Sequence, residues 1–444
     1  MVAMQLVKLS PTPLRMVMFD STGAFGKGAA YSPPSDHCLL NVRAKAMSAF
    51  PDNDSHFVRW LQRSGHGDHD ADFGNRFLPR RLYGEYLSAL LKECRDSGAL
   101  SLRPERVVNV LATGGDYELE DATGRRTLAK TVVLALGNLP PGGLGDTALS
   151  EAMAAHARPA WTFLASGQID PEADVLIVGT GLTALDVMLH LASHDHRGRI
   201  EMLSRHGRFP LPHAPPPAAP AKDPGTLEGT PQDIMRMLRR LVRECESQGN
   251  SWHDVVDAVR PHVTSIWQSW TQAQREQFFR HVAPFWEVHR HRAPTSTLEL
   301  RDRLIAAGRL GVHAGRLFAL DAASDGLRAR YVDRRRGRAS ELRVDAVIDC
   351  TGPRRDYRRS GDRLIDGLLE QGLATTDPLG MGFAAESDGR LVGRDINPRG
   401  VFVLGTPLRG TLYESSAVRE IRVQAESVTR ALIASNRESA VSYA

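Results

Sequence analysis

The run Gly179-Thr180-Gly181-Leu182-Thr183-Ala184 sets two glycines and an alanine at G-x-G-x-x-A spacing, after the apolar stretch Val175–Val178 and before an apolar helical pattern over 185–193. Between a strand and a helix this spacing suits a pyrophosphate. Gly179 permits the tight turn, Gly181 lets a phosphate approach the backbone, and Ala184 lets the helix pack closely on the strand. The helix N-terminus, with Thr183 in its first turn, adds unpaired N–H groups and the positive end of the dipole. The next apolar stretch, 200–203, ends at Ser204 and Arg205, with Arg208 nearby. A carboxylate at that end would hold the ribose 2′-hydroxyl of NAD, whereas serine and arginine accept a 2′-phosphate, so NADH and NADPH both stay open.

Glycines at other strand ends extend the set. The apolar runs 131–136, 346–350 and 401–404 stop at Gly137, at Thr351 and Gly352, and at Gly405. Without a Cβ, such a tip lets backbone approach a nucleotide or a flat ring. The run 16–19 ends instead in Asp20, the position from which a Rossmann unit holds an adenosine ribose, about 20 residues beyond its glycine turn. No such turn precedes Asp20, so the chain is expected to start inside the first helix of that unit, with the first strand and glycine loop missing. In the basic segment 287–292, Arg290 and Arg292 could face a substrate anion. The cysteines, Cys38, Cys94, Cys245 and Cys350, form no C-x-x-C pair, which argues against electron transfer to a disulfide. The histidines show no ligand spacing, and no metal site is expected.

Those residues need elements to position them. Two hairpins, 117–120 with 127–130 and 327–332 with 341–344, each lead into an apolar strand that ends in glycine. This duplication, around the glycine turn at 179–184, predicts an α/β chain of two Rossmann-like, doubly wound, three-layer dinucleotide-binding domains with a helical insert. Residues 1–165 form the N-terminal part of the first domain, 171–345 the second, and 346–444 the return to the first. A loop rich in proline and alanine, 214–229, precedes the insert at about 230–292. Helical spacing predicts a helix over 234–248 and a further helical stretch over 252–286, with Trp267, Trp270, Phe278 and Phe279 as its core. Val418, Ile421, Val423, Ala425, Val428 and Leu432 predict a helix over 414–433, whose N-terminus would stabilise negative charge on a reduced ring.

After Asp20 the chain reads Gly23-Ala-Phe-Gly26-Lys-Gly28-Ala-Ala-Tyr31, then Asn41-Val-Arg-Ala-Lys-Ala-Met47-Ser-Ala-Phe50-Pro51-Asp52. With GTGLTALD at 179–186, SRHGRFP at 204–210, VIDCTGP at 347–353 and VLGTPLRGTLYESSAVREIRVQA at 403–425, it resembles a bacterial FAD/NAD(P)-binding family related to the flavin monooxygenases and amine N-hydroxylases. The likeness spans nearly the whole chain. It implies that the first domain binds FAD, with Asp20, Gly26, Gly28, Tyr31, Asn41 and Met47 around it, and that the second binds NADH or NADPH. The implied reaction is a hydroxylation with O2, urate to 5-hydroxyisourate being the first expectation. Arg290 and Arg292 would then anchor the urate anion, and Tyr413 and Glu414 would lie near the flavin face. Amine N-hydroxylation on the same machinery and a non-catalytic nucleotide-binding protein are the alternatives.

Composition sets outer limits. A chain of 444 residues suits two or three domains, each with its own core. The net charge of +4 comes from scattered arginines whose densest run, 334–338, falls at a hairpin turn, which argues against a nucleic-acid surface. No membrane-length apolar run and no leader pattern occur, so a cytoplasmic location is expected.

Overall fold

Helix Val2–Leu9 buries Ala3, Met4 and Leu6 and leads into β1 (Met16–Phe19). The computed structural model describes residues 1–444 except 33–34, 69, 142–143, 145–155, 216–222, 325, 395–396 and 442–444. The expected loop 214–229 thus lies partly outside the described residues. β1 pairs in parallel with β2 (Leu100–Arg103) across helix Arg80–Asp96, which buries Leu82, Tyr83, Tyr86, Leu87, Leu90 and Leu91 at helical spacing. An antiparallel meander follows, β3 (Val107–Thr113), β4 (Asp116–Asp121) and β5 (Arg126–Ala129), and delivers the chain to β6 (Val132–Leu134).

The second unit is one seven-stranded sheet. Its strands are β7 (Ala157–Pro159), β8 (Val175–Val178), β9 (Ile200–Ser204), β10 (Leu310–Ala323), β11 (Gly326–Asp333), β12 (Ala339–Val344) and β13 (Ala346–Asp349), in the order β12-β11-β10-β9-β8-β13-β7. The five from β10 to β7 are parallel, while β11 and β12 return antiparallel. β8 is buried on both faces, as its unbroken apolar sequence requires. Val175 and Ile177 pack on helices Leu182–Ser193 and Thr295–Ala306, whereas Leu176 and Val178 meet Leu317, Leu320, Tyr331 and Val344 of β10, β11 and β12. The result is three layers.

β13 lies between β8 and β7, so the chain leaves the second unit after Asp349 rather than at 346. It then reaches β14 (Val401–Val403), which pairs in parallel with β6. The first unit's parallel strands therefore pair two by two, β1 with β2 and β6 with β14, beside the antiparallel sheet β3-β4-β5. The pairs are joined by one apolar cluster in which Met16 and Val133 pack with Phe402, Leu6, Val428 and Leu432.

The insert comprises helices Pro231–Ser247, Trp252–Val259, Val263–Ser269, Gln272–His281 and Ala283–Arg290. The stretch expected over 252–286 is thus cut into four. Pro261 ends the first piece, a capping box between Thr271 and Gln274 starts the third, and Pro284 opens the fourth. The C-terminal helix begins at Val418 rather than 414, which leaves Tyr413 and Glu414 in the preceding turn. Among the described residues no helix is long and apolar enough to cross a membrane, and no three potential ligands cluster for a metal ion.

Candidate functional site

β8 runs into Gly179, whose φ of 135° and Cβ direction, 2.5 Å from the Cys350 carbonyl oxygen, exclude any side chain. Gly181 is different. Its φ is −80°, and a Cβ there would meet no protein atom within 4 Å. Neither backbone nor packing demands glycine at 181, and the open space before it is what an approaching pyrophosphate needs. Gly181 is also the N-cap of helix Leu182–Ser193 and offers no side-chain cap to its first N–H groups. Thr183 lies half-buried in the first turn, and Ala184 is fully buried against the strand.

Thr180, which sequence reasoning missed, ties this turn to the next strand. Its Oγ1 donates to the Arg208 carbonyl at 2.6 Å and lies 2.8 Å from Ser204 Oγ. Ser204 Oγ in turn accepts from the Gly207 N–H at 3.0 Å, so Ser204 braces the loop that presents Arg205. Arg205 is exposed and has no ion pair among the described residues, while the Arg208 guanidinium sits 3.8 Å over the Phe285 ring of the insert. Gly352, at the end of the adjacent β13, has φ 87° and open space before it. Arg355 follows, and it too escaped sequence reasoning. The surrounding protein, then the guanidiniums of Arg409 and Arg205, pull its pKa below the usual arginine value. The signal was two arginines directly after T-G-P.

The two units meet beside this turn. Arg80 of the first unit pairs with Asp186 of helix Leu182–Ser193 at 3.0 Å, both less than a tenth exposed. The contact lacks hydrogen-bond geometry, leaving Arg80 Nε and Asp186 Oδ2 without such partners. Burial pushes the Asp186 carboxyl up to about 6, against the pull of Arg80. Asn41 lines the small cleft around this pair, and its carbonyl accepts from His213 Nε2 at 2.8 Å.

In the first unit, Gly26 and Gly28 have φ of 75° and 59°, and Asp20 Oδ1 accepts from the Thr22 N–H and hydroxyl. Tyr31 packs edge-on against Tyr83, with ring centroids 4.7 Å apart. Met47 is 1% exposed and belongs to the core behind these loops, so its side chain supports the wall. Gly137 and Gly405, with φ of 66° and 82°, end the paired strands β6 and β14 with free space before both. Thr406 Oγ1 donates to Asn138 Oδ1 at 2.8 Å and ties the two tips together.

Arg290, Tyr413 and Glu414 come together, and Arg292 pairs elsewhere. Arg290 is buried against Glu414 and lies 3.9 Å from Glu420. The Tyr413 hydroxyl donates to Glu287 Oε1 at 2.9 Å, which also receives Arg409 Nη2 at 3.1 Å, while Glu287 Oε2 faces His291 Nε2 at 2.9 Å. Burial pulls the Glu287 carboxyl up, but the His291 contact and the charges of Arg409 and Arg290 outweigh it and hold the group well below the usual carboxylate range. Burial, then Glu287, pushes the Tyr413 phenol well above its ordinary value, so it remains a donor. Tyr413 has φ 59°, a left-handed conformation that costs a side-chain-bearing residue about 1–3 kcal/mol. Arg292 forks onto Asp257 at 3.0 and 3.1 Å and stacks on Trp252. Arg290 and Arg292, the expected anion anchors, are thus each paired with a carboxylate.

Residues 1–139 match a family model described as FAD-NAD(P)-binding. No curated sequence matches the chain. Among solved structures it is similar to the ornithine N-hydroxylase of Kutzneria sp. 744, solved with reduced FAD, NADP+ and L-ornithine, with a TM-score of 0.69 at 14% identity over 98% of this chain and 96% of that one. The fold is that of amine monooxygenases. The cadaverine monooxygenase of Erwinia amylovora, solved with FAD, gives a TM-score of 0.68 at 13% identity over 97% of this chain and 91% of that one. The L-lysine 6-monooxygenase of Pseudomonas syringae gives 0.60 at 18% over 95% and 99%. The two Rossmann-type units expected from the duplicated hairpin and strand are thus present in that arrangement.

Proposed function

We propose that the protein is an FAD- and NADPH-dependent monooxygenase that hydroxylates the nitrogen of an amine. The chain-long likeness to three amine hydroxylases carries the reading. Amine, O2, NADPH and a proton give hydroxylamine, NADP+ and water. FAD, when bound, supplies the two-electron chemistry that activates oxygen. Asp20, Gly26, Gly28, Gly137 and Gly405 would hold it, since those glycine tips leave room for a nucleotide or a ring. Gly179, Gly181, Thr183 and Gly352 would hold the nicotinamide nucleotide. Arg205, exposed and without an ion pair among the described residues, favours a 2′-phosphate and hence NADPH over NADH.

Urate hydroxylation is less well supported. The solved structures similar over the whole chain are named for ornithine, cadaverine and lysine, and Arg290 and Arg292, the expected anchors for an anionic purine, are both engaged by carboxylates. The test is NADPH oxidation by FAD-loaded protein across an amine panel with urate as comparator, together with assay of the hydroxylamine. Amine-dependent NADPH consumption with matching hydroxylamine supports the proposal. Protein that takes up no FAD, or that turns over urate and no amine, overturns it.

A further inference from the structure

The densest arginine run of the sequence, 334–338, forms the turn between β11 and β12, and that turn is anchored at the end of β9. Ala314 of β10 pairs with Ser204, the last residue of β9, and its carbonyl accepts the Arg334 N–H at 2.8 Å. Gly315 makes the approach close, since a Cβ there would stand 2.5 Å from the Val332 carbonyl oxygen. Gly207 packs into the same corner, where a Cβ would touch that of Ala314 at 3.3 Å. The turn is thereby fixed beside the loop of Arg205, His206 and Arg208, at the carboxyl ends of the parallel strands, where open α/β sheets take their ligands.

The charges at this corner are of one sign. Burial, then the guanidiniums of Arg334, Arg208 and Arg205, hold the His206 ring below its ordinary pKa, and no carboxylate among the described residues offsets them. Asp333, at the base of the turn, accepts the Arg335 and Arg336 N–H groups at 2.8 and 2.9 Å. Arg208 lies on the Phe285 ring. Arg205 and Arg334 are exposed and have no ion pair among the described residues, whereas Arg330, farther along the same hairpin, pairs with Asp321 at 2.7 Å. Cations gathered without a counter-charge repel one another and raise the local concentration of anions. Guanidiniums supplied by two separate elements suit a phosphate monoester, whose oxygens accept forked N–H pairs.

We propose that Arg334 is a second ligand for the nucleotide 2′-phosphate, so that the tip of the β11–β12 hairpin and Arg205 in the loop after β9 together select NADPH over NADH. This rests on the NADPH reading above. The probes are 2′,5′-ADP, which carries the 2′-phosphate, and 5′-AMP, which lacks it, each titrated calorimetrically into the full chain with FAD. Wild type should prefer 2′,5′-ADP by roughly tenfold or more. Arg334→Gln and Arg205→Gln should each weaken 2′,5′-ADP binding about tenfold, the loss of one charge-assisted contact, and leave 5′-AMP binding unchanged. Arg335→Gln removes the same charge one residue away and should alter neither. Arg334 is anchored through its backbone, so the variants should melt with wild type, and Arg334→Ala stands in should Arg334→Gln melt early. Unchanged 2′,5′-ADP binding in Arg334→Gln beside a loss in Arg205→Gln, or an equal loss in Arg335→Gln, overturns the proposal and leaves the NADPH reading standing. A wild-type chain that does not prefer 2′,5′-ADP to 5′-AMP overturns both.

Discussion

Gly179 and Gly181 lie two residues apart in one turn, and the structure gives them opposite reasons for being glycine. At Gly179 a methyl group would sit 2.5 Å from the Cys350 carbonyl oxygen on a backbone with φ 135°. Gly179→Ala therefore costs the fold about 1–3 kcal/mol of conformational strain before the clash is counted. At Gly181 the backbone is ordinary and the space is empty. Gly181→Ala there costs less than about 1 kcal/mol, the difference between glycine and alanine as an N-cap. A side chain at 181 instead occupies the volume through which a pyrophosphate reaches the helix N–H groups. Losing one charge-assisted hydrogen bond of about 1.5–3 kcal/mol weakens NADPH binding roughly tenfold to a hundredfold. Gly181→Val should show this loss with wild-type melting temperature and FAD content, whereas Gly179→Ala should melt several degrees lower. The assay is NADPH titration beside thermal unfolding. Wild-type NADPH affinity in Gly181→Val, or a loss of affinity seen only with a loss of fold, refutes the reasoning.

Three further outcomes follow from the geometry. Trp267→Ala, at a side chain 1% exposed and stacked on Tyr413, should destabilise the insert by about 3–5 kcal/mol in denaturant unfolding. Arg80→Met leaves Asp186 buried and unpaired and should cost about 3–5 kcal/mol at pH 8. At pH 5 the loss should be smaller, because the raised Asp186 carboxyl is protonated there and its stabilising state disappears only as pH rises through about 6. Equal losses at both pH values would contradict the pairing. Burial lowers the His213 ring to about 4, so the ring contributes stability that is full above its unfolded value of about 6.5 and is lost as pH falls towards 4. Melting temperatures of wild type and His213→Gln across that window should converge at acid pH if this holds.

The glycine turn was legible because a continuous apolar run, a glycine pair and a helical pattern are all local signals, and β8 with helix Leu182–Ser193 stands where they put it. The duplicated hairpins were legible for the same reason, as alternation and turn chemistry are written within a few residues. What failed was non-local. That β13 belongs beside β8 depends on pairing across 170 residues, and no local pattern states it. The breaks in the insert were visible in Pro261, Pro284 and the Thr271 capping box, yet a run of spaced aromatics masked them. Arg290 and Arg292 looked like free cations because their partners, Glu414 and Asp257, lie far off in sequence and come close only in the fold. Thr180 hid between two conspicuous glycines.

β10 spends Leu310–Ala314 in parallel pairing with β9 and Gly315–Ala323 in antiparallel pairing with β11, with a register shift between Leu317 and Ala319. One backbone is thus a beam shared by two layers of the second unit, and β11 and β12 cannot swing unless the parallel strands swing with them. Beside that sheet the second unit is tied to the first by hydrogen bonds from the His213 ring to the Asn41 carbonyl and from Arg43 to the Ala214 carbonyl. Amide exchange along β10 should accordingly stay slow and uniform across the bend.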